Sequence, residues 1–225
     1  MAKQDTLGLV LNVAAAAMIG VATYFAFAYA PTAQQDVGGD AQRIFYFHVG
    51  VAWIAGLALL VTFVASVLYL WRGEQRKHDI LAVSSVEIGV TFGVATIVAG
   101  MFWARPAWGV WWTWEPRLTT TAITLFLYVA YLMLRGAIDD PQRRGRIAAV
   151  YGIVAFASVP VTFFATQWWS TVHPPPVSMT PTMRAAMFVA VGAFTLLYAA
   201  LLRARVRLEN SADEVAALKQ QALSG

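Results

Sequence analysis

Residues 49–71 read VGVAWIAGLALLVTFVASVLYLW, an apolar run without a single charged side chain. A hydrocarbon core about 30 Å thick needs roughly 20 apolar residues of helix at about 1.5 Å each, so this run is long enough to cross a bilayer. Five more runs of the same kind cover approximately residues 7–30, 80–103, 118–134, 147–169 and 183–202. Backbone groups in lipid must find partners within their own segment, so each run is predicted as helix and sheet is not expected. The fold class that follows is an all-α integral membrane protein, a six-transmembrane-helix bundle with a tryptophan-rich outer loop. The composition points the same way, since 59% of the 225 residues are hydrophobic and 12% charged, outside the usual range for a soluble domain.

The first run has the small-x-small look of a cleavage site at Ala28-Tyr29-Ala30. It is read as a retained span, because it is too long for a signal h-region and its flank carries only Lys3 against Asp5. Basic residues set the orientation, because cytoplasmic loops keep Lys and Arg. Twelve fall on one side: Lys3, Arg72, Arg76, Lys77, Arg135, Arg143, Arg144, Arg146, Arg203, Arg205, Arg207 and Lys219. Arg43, Arg105, Arg117 and Arg184 fall on the other, which places both termini in the cytoplasm. The net charge of +4 therefore reflects topology and makes no case for nucleic acid.

Two regions are expected: a six-helix transmembrane domain over residues 1–203 and a cytoplasmic C-terminal tail over 204–225, read as a short cytoplasmic or interfacial helix. The chain has no cysteine, which excludes disulfides, thiolate metal sites and a c-type haem attachment motif of its own. Only Glu87 is a charge well inside a span, and its partner is not visible in sequence. Gly89 and Gly93 beside it have a small-xxx-small spacing that lets a neighbouring helix come close.

The tryptophans are pooled on the outer side. Trp103, Trp108, Trp111, Trp112 and Trp114 lie in or beside the third connection, Trp168 and Trp169 border the fifth, and Trp53 lies one turn into the second helix. An aromatic belt that merely sets helix depth would place rings at both interfaces, yet only Trp71 is at the cytoplasmic boundary. Indole rings gathered on one side can form an apolar, stackable floor for a flat ligand. In an interfacial helix Trp108, Trp111 and Trp112 would share a face, although Pro106, Gly109 and Pro116 oppose a long regular helix there.

His48 opens the second helix and His173 sits in the fifth connection, both outer, whereas His78 between Lys77 and Asp79 is read as solvated. Two outer histidines beside a tryptophan cluster suit two axial ligands of one haem iron; the competing reading is a pair of interfacial histidines bonded to loop carbonyls. Arg43 and Arg117 are the cations placed to hold haem propionates, with lipid headgroups as the competing partners.

At these residues the chain resembles the CcmC family, the membrane haem-handling subunits of bacterial cytochrome c maturation, within the tryptophan-rich "WWD" superfamily. The resemblance rests on Arg43-Ile-Phe-Tyr-Phe-His48-Val with Ala52-Trp53, on Trp108-Gly-Val-Trp111-Trp112-Thr-Trp114-Glu115-Pro-Arg117-Leu-Thr, and on Trp168-Trp169-Ser-Thr-Val-His173. It extends over nearly the whole chain. It implies that His48 and His173 are axial ligands to haem b, that the block of Trp108, Trp111, Trp112 and Trp114 cradles the macrocycle, and that haem passes to the membrane-anchored chaperone CcmE. It also implies work alongside the transporter subunits CcmA and CcmB and the small subunit CcmD, in a bacterial inner membrane with the haem site on the periplasmic face. No bond-making step is evident, so an enzyme is not expected, and no phosphate-binding glycine loop is present. Two residues depart from the family pattern: Glu115 where Asp is usual, and Pro116 where a small residue is common.

The alternative is a b-type haem redox protein that exchanges electrons with quinone. A transmembrane relay needs histidine pairs at membrane depth, and no histidine falls in the middle of a span. A solute transporter with an aromatic lid would call for inverted repeats and broken helices around a midplane site, and no convincing repeat is found.

Overall fold

The computed structural model describes residues 5–33, 39–169 and 179–224. Among them there is no strand, and six helical segments are long and apolar enough to cross a membrane. Helix α1 (Thr6–Tyr24) ends in a π-helical turn, Phe25–Tyr29. A single turn at Gly39–Ala41 leads into α2 (Gln42–Trp71), followed by α3 (Arg76–Trp108) and α4 (Pro116–Gly136). The fifth span is divided into α5 (Pro141–Ala155) and α6 (Ser158–Trp168), and α7 (Pro181–Ser224) closes the chain.

The helix ends follow from sequence. Asp5 and Asp140 accept hydrogen bonds from Gly8 N (3.0 Å) and Arg143 N (2.5 Å), capping α1 and α5. Pro116 and Pro141 begin α4 and α5, where a missing N–H costs nothing. Two departures from expectation have the same kind of cause. The fifth run is not one helix: Pro160 cannot donate to residue 156, and tighter bonds from Ala157 N to Val154 O (3.2 Å) and Val159 N to Phe156 O (3.0 Å) make a bend there. The tail is not a separate short helix either. It continues α7, whose 44 residues extend about 66 Å, roughly twice a bilayer core.

Where α1 meets α7 the side chains are small: Ala22 of α1 and Ala26 of the turn after it meet Ala186, Ala190 and Ala193 of α7 in one buried cluster, while Phe126 and Val154 are each 70% exposed. Small residues at a helix interface are expected where lipid replaces water and close helix approach supplies the packing. The approach is close between α2 and α3: a Cβ on Gly89 would stand 2.9 Å from Leu59 Cδ2 and 3.2 Å from Ala58 Cβ. On its other side α2 packs against α7, which carries α1, while α4 packs against α3, α5 and α6.

One end of the bundle gathers arginine and carboxylate. Asp79 is buried between Arg135 (2.5 Å) and Arg76 (2.5 Å), and Arg76 also reaches Asp213 (2.9 Å) on α7. Arg205 holds Glu87 with two nitrogens, which supplies the partner that sequence could not name. Asp5 joins Arg203 (2.6 Å) and Arg207, so the start of α1 and the exit of α7 lie at this same end. His78, read as solvated, is buried here.

Candidate functional site

At the opposite end, where the tryptophans gather, α2, α3, α4 and α6 line a cleft of about 220 Å³. The α2 wall is His48, Ala52, Ala55, Gly56 and Leu59, and the α3 wall includes Gly89, Gly93, Ile97, Gly100 and Ala104. Steps of three and four put each set on one helix face, and their small size leaves the space. From His48 to Leu59 the wall descends about 16 Å, roughly half of a hydrocarbon core. The third wall is polar: Arg117, Thr121, Thr124 and Tyr128 from α4, with Thr162 of α6. Thr124 and Thr162 share a hydrogen bond (3.1 Å), tying these two helices together. The bend in the fifth span separates its halves: α5 packs on α2, whereas α6 packs on α4.

The tryptophan segment roofs this space. Helix α3 continues through Pro106 to Trp108 and stops at Gly109, whose φ of +76° favours glycine and whose N–H bonds Arg105 O (3.0 Å). The chain then runs without regular structure until Glu115, whose Oε1 accepts from Leu118 N (2.8 Å) and starts α4. Glu115 and Pro116 therefore have a local task, since Glu115 caps α4 and Pro116 opens it. Trp103 is buried edge-on to Trp108 (5.1 Å between ring centres) and touches Phe45 (6.0 Å). Trp111 stands edge-on to Phe102 (5.8 Å), and Trp112 to Trp114 (5.5 Å).

Of the residues singled out in sequence, His48, Trp108, Trp111, Trp112 and Arg117 are brought together as cleft lining. Trp114 is outside that lining and 77% exposed. Arg43 is also elsewhere: its guanidinium donates to the carbonyls of Ala26 (2.6 Å), Phe27 (3.0 Å) and Ala30 (3.4 Å), closing the end of the first span. His173 lies outside the described residues. Sequence reading did not select Gly100, against which the His48 ring is seated, or the α4 residues Thr121, Thr124 and Tyr128. The signal was present as a three-and-four spacing down from Arg117, hidden by the general hydrophobicity of the span.

The donor set suits a flat, amphipathic, anionic ligand. Trp103 and Trp112 line the cleft, and their indole nitrogens are buried and meet no hydrogen-bond acceptor among the described residues. Arg117 adds a cation at the same rim, and the remaining walls are apolar. Haem, with a planar apolar body and two carboxylates, has this form.

The family model described as CcmC, heme exporter protein C, matches residues 1–221. Heme exporter protein C of Escherichia coli strain K12 is 32% identical over 203 residues, covering 88% of this chain and 81% of that protein. The protein of the same description from Bradyrhizobium diazoefficiens is 32% identical over 194 residues, covering 83% and 73%. A putative cytochrome c biosynthesis ccmC-like mitochondrial protein of Arabidopsis thaliana is 33% identical over 161 residues, covering 70% and 58%.

Proposed function

The chain belongs to the CcmC, heme exporter protein C, family, whose role is haem handling for cytochrome c maturation, and from this premise we propose that it holds haem at the tryptophan end for delivery to a chaperone. The observation that carries the reading is the convergence of His48, Trp108, Trp111, Trp112 and Arg117 on one cleft. His48 serves as one axial ligand through a neutral imidazole nitrogen, and His173 is assigned as the other. The rings of Trp108, Trp111 and Trp112 supply flat contact area, with Trp114 extending the floor at its exposed edge. Arg117 takes the propionate role at the cleft. Arg43, bonded to the end of the first span, acts on the site by fixing the start of α2, five residues before His48. The basic-residue division supports a periplasmic tryptophan end and a cytoplasmic arginine end.

A carrier must load its cargo and release it, so its affinity is shared among contacts rather than concentrated in the iron ligands. CcmE is the assigned recipient, and CcmA, CcmB and CcmD are the assigned partners in the same membrane. The test is absorption and magnetic circular dichroism of the purified protein with haem quantified. His48→Ala and His173→Ala should each keep some haem but lose the six-coordinate spectrum, and added imidazole should restore it. Unchanged low-spin spectra in both variants would remove the histidines from the site. A preparation that neither carries nor takes up haem would end the reading.

A further inference from the structure

Below the cleft, the polar face of α4 continues. Tyr128, Tyr131 and Arg135 follow Thr124 at steps of four, three and four, so a polar stripe reaches from the tryptophan end to the arginine end on one helix face. Opposite it on α2 are Ser66 and Tyr69, and α5 supplies the glycines that let the two polar faces meet. A Cβ on Gly152 would stand 3.1 Å from Ser66 Oγ and 3.2 Å from Tyr131 Cε2; one on Gly145 would stand 2.5 Å from Tyr69 Oη. Ser66 and Tyr131 are fully buried, and Tyr128 is 1% exposed.

The hydroxyls of Ser66 and Tyr128 are buried without a hydrogen-bond partner among the described residues, and that of Tyr131 has the Arg135 side chain alone. In a membrane interior such hydroxyls gathered in one seam are costly unless something small and polar serves them. Water does, since a buried water typically bonds two to four polar groups that lack partners. The seam meets the cleft at Tyr128, which lines it. At the other end the Arg135 guanidinium lies over the Tyr131 ring, 5.9 Å from its centre, and is locked on Asp79 by two bonds of 2.5 and 3.1 Å. Two side chains held on each other in this way fill that end and interrupt any continuous file of water.

We propose that this seam is an internal water site, a short file entering from the cleft and held by Tyr128, Ser66 and Tyr131, with the Arg135–Asp79 pair as its ion-tight seal. The deep cleft is thus hydrated past the middle of the membrane without becoming a leak. Water at the cleft floor also gives a ligand there something to displace, which favours ligands whose own polar groups replace it.

Hydroxyl-radical footprinting by radiolysis, with the full chain in lipid nanodiscs, labels side chains that touch ordered water. Tyr128 and Tyr131 should label several-fold faster than Tyr198, which is buried but dry, its hydroxyl bonded to Ser85 (2.6 Å). Tyr131→Phe should lower the labelling of Tyr128 several-fold. Labelling of Tyr128 and Tyr131 no faster than that of Tyr198 overturns the proposal. The seal is read in proteoliposomes carrying a pH-sensitive dye, where the wild type should be proton-tight, Arg135→Gln leaky and Arg135→Lys tight. A folded Arg135→Gln that stays tight overturns the seal. If Arg135→Gln does not fold, the wild-type footprint alone decides the water site.

Discussion

The imidazole of His48 on α2 rests against Gly100 on α3: a Cβ built at Gly100 would come within 3.1 Å of His48 Cε1 and 3.6 Å of Nδ1. The ring therefore keeps its place at the cleft because α3 has no side chain there. Gly100→Val should tilt the imidazole and weaken haem binding by roughly tenfold, about 1.4 kcal/mol. Gly56→Ala is the control, since nothing lies within 4 Å of a Cβ at that position in the same cleft. A haem titration of both variants in detergent checks this, and equal affinities would mean that the ring position is unimportant.

The tryptophans should not contribute equally. Trp112 lines the cleft and has a buried indole nitrogen without a partner, whereas Trp114 is 77% exposed and outside the lining. Trp112→Phe keeps a ring but removes the donor, and should cost about 0.5–1.5 kcal/mol of haem affinity, the worth of one hydrogen bond. Trp114→Phe should be close to neutral. Replacing Trp111, Trp112 and Trp114 together should lower haem retention with membrane insertion intact, which haem content per inserted protein would report.

The spans were legible because lipid imposes a length and an apolar composition on any helix that crosses it. The aromatic pooling was legible too, and the tryptophans named from it include four that line the cleft. The bend at residues 156–157 was missed because hydropathy is blind to Pro160, and the tail because α7 changes solvent without changing conformation. Arg43 could not be placed from sequence, since its partners are main-chain carbonyls that carry no residue signature. The cleft itself needed three dimensions: Gly100, Thr121 and Ala55 look ordinary until helices set them face to face.

Glu87 illustrates the same limit, because its partner is more than a hundred residues away. Arg205 pairs with it through two nitrogens and with Glu209 at 2.7 Å, and none of these three residues lines the cleft. The pair is therefore structural, joining α3 to α7. Glu87→Gln should lower stability by about 1–2 kcal/mol, the range for a charged bond lost at partial burial, and leave haem affinity unchanged. The double exchange Glu87→Arg with Arg205→Glu should recover part of that loss. A thermal melt in detergent alongside a haem titration checks both halves, and weaker haem binding by Glu87→Gln at unchanged stability would give this residue a role in haem movement.

Asp5 sits at the arginine end between Arg203 and Arg207, with Gly8 N donating to the same carboxylate. The Arg203 hydrogen bond, followed by the Gly8 N–H, holds its pKa well below the ordinary 3.8. A depressed carboxylate contributes stability that is fully present above its unfolded value and is lost as pH falls through the folded one. The link between α1 and α7 should thus be intact at neutral pH and weaken only as the pH drops below 3.8. Partial exposure and salt screen the pair, so the effect should shrink at high ionic strength. Asp5→Asn separates the two tasks of this side chain, because asparagine still caps the helix but carries no charge. Thermal melts across pH should show a component of acid destabilisation in the wild type that Asp5→Asn lacks. Identical pH profiles for the two proteins would show that Asp5 acts as a helix cap alone and that its arginines find other partners.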